Sequence, residues 1–117
     1  MAVTVVIVDD HAGFRARAAK LLQAAGFEVI GSCADGRSAL ALLAIRRPDV
    51  LLLDVQLPDM DGFGVIEQLG DDGPAIVLVS SREAADYGGR VDRCGAVGFI
   101  TKAELSAHSL AEMVARS

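Results

Sequence analysis

Residues 50–62 read VLLLDVQLPDMDG, an apolar run that ends at Asp54 and passes directly into a turn rich in proline, aspartate and glycine. The run shows no alternation of polar and apolar side chains, which is typical of a parallel strand covered on both faces. A carboxylate at the end of such a strand lies at the edge where open parallel sheets bind ligands. The stretch therefore predicts a buried strand that presents Asp54 to a functional site.

Four further apolar runs flank this stretch at near-constant intervals. The five runs begin at residues 3, 27, 50, 75 and 97, which lie 22 to 25 residues apart. Segments with the apolar spacing of helices separate them. The runs are Val3–Val8, Phe27–Cys33, Val50–Leu53, Ala75–Val79 and Val97–Ile100. Five alternations of strand and helix predict an α/β domain, in which right-handed crossovers place helices on both faces of one parallel sheet.

The ends of the helices are marked by residues that start or stop helical structure. Gly26 is placed to end the first helix, because glycine adopts the backbone conformation that closes a helix without strain. Asp35 and Ser106 are candidate N-caps of the second and last helices, and Pro48 stops the second. The third helix carries the apolar side chains of residues 65–69.

The fourth helix, around Glu83–Arg93, is predicted to be the least stable element of the domain. It contains Gly88 and Gly89, and a glycine in a helix interior costs roughly 1 kcal/mol relative to alanine. Only Tyr87 and Val91 supply large apolar side chains at a spacing that packs inward, so burial offsets little of that cost. We therefore expect a helix that is shortened, broken near Gly88, or mobile.

Composition restricts the class of protein. The chain has 117 residues, 52% of them hydrophobic, and a formal net charge of -5, which indicates one globular domain over residues 1–117. It has no apolar run of about 20 residues and no secretory signal, and the acidic balance does not favour nucleic-acid binding. We therefore expect a cytoplasmic protein with no membrane or nucleic-acid partner. Cys33 and Cys94 are isolated and predict two reduced thiols more readily than a disulfide.

Polar side chains follow four of the five predicted strands. They are Asp9, Asp10, Asp54, Ser80, Ser81 and Lys102. The carboxyl ends of parallel strands meet at one edge, so three carboxylates, a hydroxyl and an ammonium group are expected to converge there. Clustered carboxylates repel one another, and Mg2+ relieves that repulsion through oxygen ligands. An aspartate can also accept a phosphoryl group, which a lysine and a hydroxyl would then hold.

These residues belong to longer motifs that resemble the receiver domain of response regulators in two-component systems. The motifs are VVIVDDH (residues 5–11), LDVQLPDMDG (residues 53–62), Ser80 and GFITK (residues 98–102). Residues 95–99, together with the Asp-Asp-His opening, are most similar to receivers of the NarL/LuxR type. The resemblance implies a flavodoxin-like (βα)5 fold with five parallel strands in the order 2-1-3-4-5. The interval of 26 residues from Asp54 to Ser80 is short for this family and predicts a trimmed third helix.

The resemblance also implies a role for each polar residue of the site. Asp54 would be the phosphoacceptor, and Ser80 and Lys102 would contact the phosphoryl oxygens. Magnesium would be held by the carboxylates of Asp9, Asp10 and Asp54 and by the backbone carbonyl of Gln56. Phe99 would be the aromatic switch residue. The lifetime of the phosphoryl group would be tuned by Gln56, Ser81 and Arg82.

The implied partner is a histidine kinase or a phosphotransfer protein that donates from phosphohistidine. Phosphorylation would then change a binding surface on the fourth helix, fifth strand and fifth helix, used by a second copy or a downstream protein. Beyond its own phosphoryl transfer and slow self-dephosphorylation, such a domain is not an enzyme. Residues 1–117 are expected to form this receiver domain alone, without an effector domain.

Other interpretations remain open at this point. The chain could be a receiver-like interaction module that works without phosphate, or a metal-dependent phosphohydrolase. The phosphohydrolase is disfavoured because Gln56 stands where a second carboxylate would be wanted. Phe99 could instead be an ordinary core residue without a switch role. His11 and His108 are predicted at surface or helix-end positions, without a partner at ligand or catalytic spacing.

Overall fold

A computed structural model describes residues 2–115. Within it, five parallel strands form one sheet in the order β2-β1-β3-β4-β5. The strands are β1 (Thr4–Val8), β2 (Glu28–Cys33), β3 (Val50–Asp54), β4 (Ala75–Ser80) and β5 (Gly98–Thr101). This is the flavodoxin-like arrangement, so the predicted fold and strand order are confirmed.

Helices cover both faces of the sheet. They are α1 (Ala12–Ala24), α2 (Gly36–Leu43), α3 (Gly62–Leu69), α4 (Arg90–Arg93) and α5 (Ala107–Ala115), with 3₁₀ turns at Ala84–Tyr87 and Lys102–Glu104. The side of the sheet that carries Val6, Val8 and Leu53 packs against α2 and α3, and the side that carries Val5 and Ile7 packs against α1 and α5. Among the described residues, no helix has the length and apolar character needed to cross a bilayer.

The central strands are almost wholly excluded from water, which explains their unbroken apolar sequence. Residues 5–8 of β1 and residues 50–53 of β3 have no exposed surface. Strand register then aligns the carboxyl ends: Val8 pairs with Leu53, Asp54 with Val79, and Ser80 with Thr101. The polar residues that end these strands consequently share one edge.

The predicted helix ends are present, with one difference in α2. Gly26 follows α1 with a φ of +95°, a backbone conformation that favours glycine. Asp35 Oδ1 accepts a hydrogen bond from Ser38 N at 2.7 Å, and Ser106 Oγ accepts one from Ser109 N at 3.0 Å. Helix α2 ends at Leu43, before Pro48 is reached, and α3 is trimmed to eight residues.

The predicted break in the fourth helix is also present. A 3₁₀ turn at Ala84–Tyr87 stops at Gly88, whose φ is +62°, and α4 then spans only four residues. None of the residues in these two short helices is fully buried, so packing contributes little to hold them in a longer helix.

The two cysteines are free thiols, as predicted. Cys33 is buried at the end of β2, and Cys94 is partly buried directly after α4. Burial and the nearby charge of Asp35 raise the pKa of the Cys33 thiol above its usual value. The thiol is therefore protonated and unreactive at neutral pH.

We expect Gly88→Ala to lower the free energy of unfolding by about 1 to 3 kcal/mol, because alanine is strained at a positive φ. Gly13→Ala is the matched control. An added Cβ meets no atom within 4 Å at either position, but Gly13 lies in α1, where alanine stabilises the helix by roughly 0.4 to 1 kcal/mol. Urea denaturation measures both changes, and equal stabilisation of the two variants would contradict the role of the backbone at Gly88.

Candidate functional site

The site lies at the edge of the sheet where four strands end. Asp9 and Asp10 follow β1, and Asp54 is the last residue of β3. Ser80 is the last residue of β4, and Lys102 comes directly after β5. Asp9, Asp54 and Ser80 are buried, with at most 3% of their surface exposed. The topology thus brings together the carboxylates and the lysine that the sequence predicted.

Lys102 is held between two buried carboxylates. Its Nζ lies 2.7 Å from Asp9 Oδ2 and 3.3 Å from Asp54 Oδ2. It also stands 4.9 Å from the centroid of the Phe14 ring in α1, which forms an apolar wall beside the ammonium group. Burial alone would lower the pKa of Lys102, but the close contact with the Asp9 carboxylate and the charge of Asp54 raise it above its usual value. Lys102 is therefore a fixed positive charge.

Burial raises the pKa of Asp54 to about 6, and the negative charge of Asp9 acts in the same direction. Two interactions partly oppose this rise: Gln56 N donates a hydrogen bond to Asp54 Oδ1 at 3.2 Å, and Lys102 pairs with Oδ2. Asp54 is thus mainly ionised at neutral pH but keeps a basicity unusual for an aspartate.

The acidic cluster has the composition and spacing of a divalent cation site. One potential ligand atom from each of Asp9, Asp10, His11 and Asp54 lies within 4.8 Å of the others. Asp9 Oδ2 is buried and accepts no hydrogen bond of good geometry within residues 2–115, although it pairs with Lys102. A buried carboxylate oxygen with spare capacity, beside two further carboxylates, fits the oxygen ligands that Mg2+ takes. Gln56 is exposed in the turn that follows Asp54, where its backbone joins the same edge.

His11 is exposed at the start of α1, as predicted, but the prediction that it has no partner is wrong. Its Nδ1 lies 3.2 Å from Asp9 Oδ1 and 3.1 Å from Asp10 Oδ1. The cause is local, because Asp9 Oδ1 also accepts a hydrogen bond from His11 N at 2.8 Å and so turns the start of α1 over the carboxylates. The position of histidine directly after two aspartates was the available signal. His108 is exposed on α5 and pairs with Glu112 at 3.1 Å, as a surface histidine does.

Ser80 has a partner that the sequence did not indicate. Its Oγ accepts a hydrogen bond from Arg82 N at 3.0 Å and shares a second, of 2.5 Å, with the hydroxyl of Tyr87. The Tyr87 ring lies 6.1 Å from the partly buried ring of Phe99, so the two aromatic side chains pack together beside the site. Ser81 and Arg82 are exposed at the rim.

The turn after β3 is held by two contacts. Asp59 Oδ1 and Oδ2 accept hydrogen bonds from the backbone N–H groups of Gly36 and Arg37, at 2.8 and 2.9 Å, which fasten the turn to the start of α2. These bonds lower the pKa of Asp59. A Cβ at position 62 would lie 2.6 Å from the carbonyl oxygen of Asp54, so only glycine permits this close approach. Both contacts fix the backbone around Asp54.

Comparison with known proteins agrees with this geometry. The sequence profile of the response regulator receiver domain matches residues 5–115. A protein-glutamate methylesterase/protein-glutamine glutaminase of Methylobacillus flagellatus is 34% identical over 123 residues, covering 98% of this chain but only 35% of that enzyme. The chain therefore spans about a third of the length of this relative.

Solved structures show the same architecture. The signal receiver domain of the response regulator NarL from Mycobacterium tuberculosis superposes with a TM-score of 0.88 at 29% identity, covering 99% of this chain and 98% of that one. The chemotaxis response regulator CheY4 of Vibrio cholerae gives 0.84 at 28% identity, with the same coverage of both chains.

Asp54→Asn is expected to stabilise the metal-free fold by about 1 to 3 kcal/mol at about pH 7.5, since the pKa of Asp54 is raised from 3.8 to about 6 and one unit of pKa shift corresponds to at most about 1.4 kcal/mol. A raised pKa means that the folded state binds the proton more tightly than the unfolded state, so ionised Asp54 costs stability as pH rises from about 4 to 6. The gain should therefore be complete above that range and vanish below about pH 4.

Urea denaturation in the presence of a chelator, at several pH values, measures this gain. Asp59→Asn is the control with the opposite sign, because the lowered pKa of Asp59 stabilises the fold at neutral pH and loses that effect as pH falls. A gain from Asp54→Asn that is the same at every pH would show that charge burial is not its cause.

Proposed function

Because the chain belongs to the response regulator receiver domain family, we propose that it is a phosphorylation-dependent switch of a two-component system, with Asp54 as its phosphoacceptor. The observation that carries this assignment is the pair of buried carboxylates, Asp9 and Asp54, held against Lys102. A lysine with no role beyond surface charge would stay exposed to solvent and would not lie between two buried carboxylates.

The chemistry follows from the states of these groups. The Asp54 carboxylate attacks the phosphorus of a phosphohistidine donor; a P–O bond forms, the P–N bond breaks, and the imidazole leaves with its electron pair and takes up a proton. Lys102, which stays protonated, stabilises the negative charge on the transferred group. Ser80, at the end of the adjacent strand, supplies a hydroxyl for a phosphoryl oxygen.

The donor set fits Mg2+, which Asp9, Asp10, Asp54 and the backbone carbonyl of Gln56 would hold. When bound, the ion supplies positive charge that offsets the repulsion between the carboxylates and the incoming phosphoryl group. His11 lies at the rim of this set, within contact of two of its members. The Nδ1 atom of His11 adds one potential metal ligand to the set that the sequence predicted.

The partner that donates the phosphoryl group is a histidine kinase or a phosphotransfer protein. Output is through the face formed by α4, β5 and α5, toward a second copy or a downstream protein. The short α4 and the break at Gly88 support this assignment, since elements that move in signalling are drawn from the less stable parts of a fold. The domain itself turns over no external substrate, and Gln56 is exposed where a hydrolase of this type needs a second carboxylate.

Incubation with phosphoramidate and Mg2+ is expected to add one phosphoryl group to the protein and none to Asp54→Asn, as measured by intact mass. The matched control is Asp72→Asn, which changes an exposed aspartate in the loop between α3 and β4 and should accept the group as the wild type does. Equal labelling of Asp54→Asn would refute the assignment of the phosphoacceptor.

Magnesium is expected to stabilise the fold, because it binds the folded site and not the unfolded chain. At a concentration ten times its dissociation constant the gain in unfolding free energy is about 1.4 kcal/mol. Asp10→Asn should abolish the gain, and this side chain is partly exposed, so the variant is expected to fold. An absence of stabilisation at millimolar Mg2+ would instead favour an interaction module that works without phosphate.

A further inference from the structure

The hydrogen bonds of Ser80 raise a question about the direction of its proton. A serine hydroxyl donates one hydrogen bond and accepts up to two. Arg82 N–H donates to Ser80 Oγ and so occupies one acceptor position. The Tyr87 hydroxyl, at 2.5 Å, takes a second position, either as donor or as acceptor. Which of the two groups donates decides whether the Ser80 proton is available to a phosphoryl group.

A phosphoryl oxygen carries no proton and can only accept. With a phosphoryl group on Asp54, Ser80 contributes a hydrogen bond only if its proton points at that group. Both acceptor positions of Ser80 Oγ are then filled by donors, Arg82 N and the Tyr87 hydroxyl. The observed partners thus match the arrangement that a phosphoryl group requires, and Tyr87 is the member that can take either orientation.

We propose that Tyr87 is a positioning residue of the phosphoryl site: its hydroxyl donates to Ser80 Oγ and thereby directs the Ser80 proton toward the phosphoryl group on Asp54. This inference rests on the proposed function of Asp54 and Ser80. It assigns to Tyr87, outside the residues that the sequence placed in the site, a task that depends on its hydroxyl group and not on its ring.

The packing of the Tyr87 ring supports this role. Its centroid lies 5.9 Å from that of Phe63 in an edge-on contact and 6.1 Å from that of Phe99. Arg90, in α4, stacks on the Phe63 ring, with its guanidinium carbon 4.2 Å from the ring centroid. Two neighbouring rings, one of them held by a cation, therefore fix the position of Tyr87 although the residue sits on a 3₁₀ turn.

The same contact links the site to the break in the chain. Tyr87 directly precedes Gly88, whose positive φ separates the 3₁₀ turn from α4. When the Ser80 proton is bound by a phosphoryl group, Ser80 Oγ becomes a better acceptor, because hydrogen bonds in a chain polarise one another. The bond from Tyr87 then strengthens, and the segment up to Gly88 is held more tightly against the site.

Binding of beryllium trifluoride in the presence of Mg2+, a mimic of the phosphoryl group on aspartate, tests the proposal. Tyr87→Phe keeps the ring and removes the hydroxyl, and it is expected to weaken binding roughly 2- to 10-fold, the range that one hydrogen bond accounts for. Thr4→Val is the matched control: it removes a hydroxyl that contacts Asp49 Oδ2 at 3.1 Å at the opposite end of β1, and it should leave binding unchanged.

A double-mutant cycle separates positioning from a general effect on packing. In a Ser80→Ala background, Tyr87→Phe should not weaken beryllium trifluoride binding any further. In a Ser80→Thr background, which keeps a hydroxyl, Tyr87→Phe should weaken binding as it does in the wild type. Equal loss with and without the Ser80 hydroxyl, or no loss in the wild-type background, would overturn the inference while leaving the proposed function intact. If the wild-type protein itself binds no beryllium trifluoride, the proposed function fails and the role of Tyr87 fails with it.

Discussion

Two carboxylates and one ammonium group meet at an edge of the sheet from which water is almost excluded. Lys102 lies 2.7 Å from Asp9 and 3.3 Å from Asp54, and neither aspartate has more than 3% of its surface exposed. One positive charge balances one of the two negative charges, and buried charges without a partner are costly. Burial, together with this remaining negative charge, raises the pKa of Asp54, and the same charge favours the cation that we propose to bind here. The surrounding strands and turns hold these three groups together and offset the free-energy cost of burying them.

The central strands and the turn after Asp54 stabilise the fold and so offset the free-energy cost of burying charged groups at this site. Residues 5–8 and 50–53 of the two central strands are completely buried, and they carry Asp9 and Asp54 at their ends. Glycine at position 62 and the two hydrogen bonds of Asp59 then keep the turn after Asp54 close to the sheet. Strands thus place the residues at this edge of the sheet, whereas the segment around Gly88 lies between two short helices that contain no fully buried residue.

The sequence predicted most of what depends on local pattern. Apolar runs at near-constant intervals located all five strands, a run that stops at Asp54 located the site, and two adjacent glycines located the break in the fourth helix. The two most informative misses were side-chain contacts. The Tyr87 hydroxyl reaches Ser80 only because the chain turns at residues 84–87, and the Asp59 carboxylate caps a helix 23 residues earlier in the sequence. The spacing of residues along the sequence does not determine which rotamers these side chains adopt.

The sheet divides the apolar interior into two separate clusters, and this division assigns different tasks to its two sides. Tyr87, Phe99 and Phe63 all pack on the side of α2 and α3, whereas Ile100, Leu110 and Phe14 pack on the side of α1 and α5. In the proposed switch, a rearrangement that begins at Ser80 and Tyr87 starts in the first of these clusters. To reach α5, whose Leu110 belongs to the second cluster, it has to cross the sheet through β5, where the neighbouring residues Phe99 and Ile100 belong to different clusters.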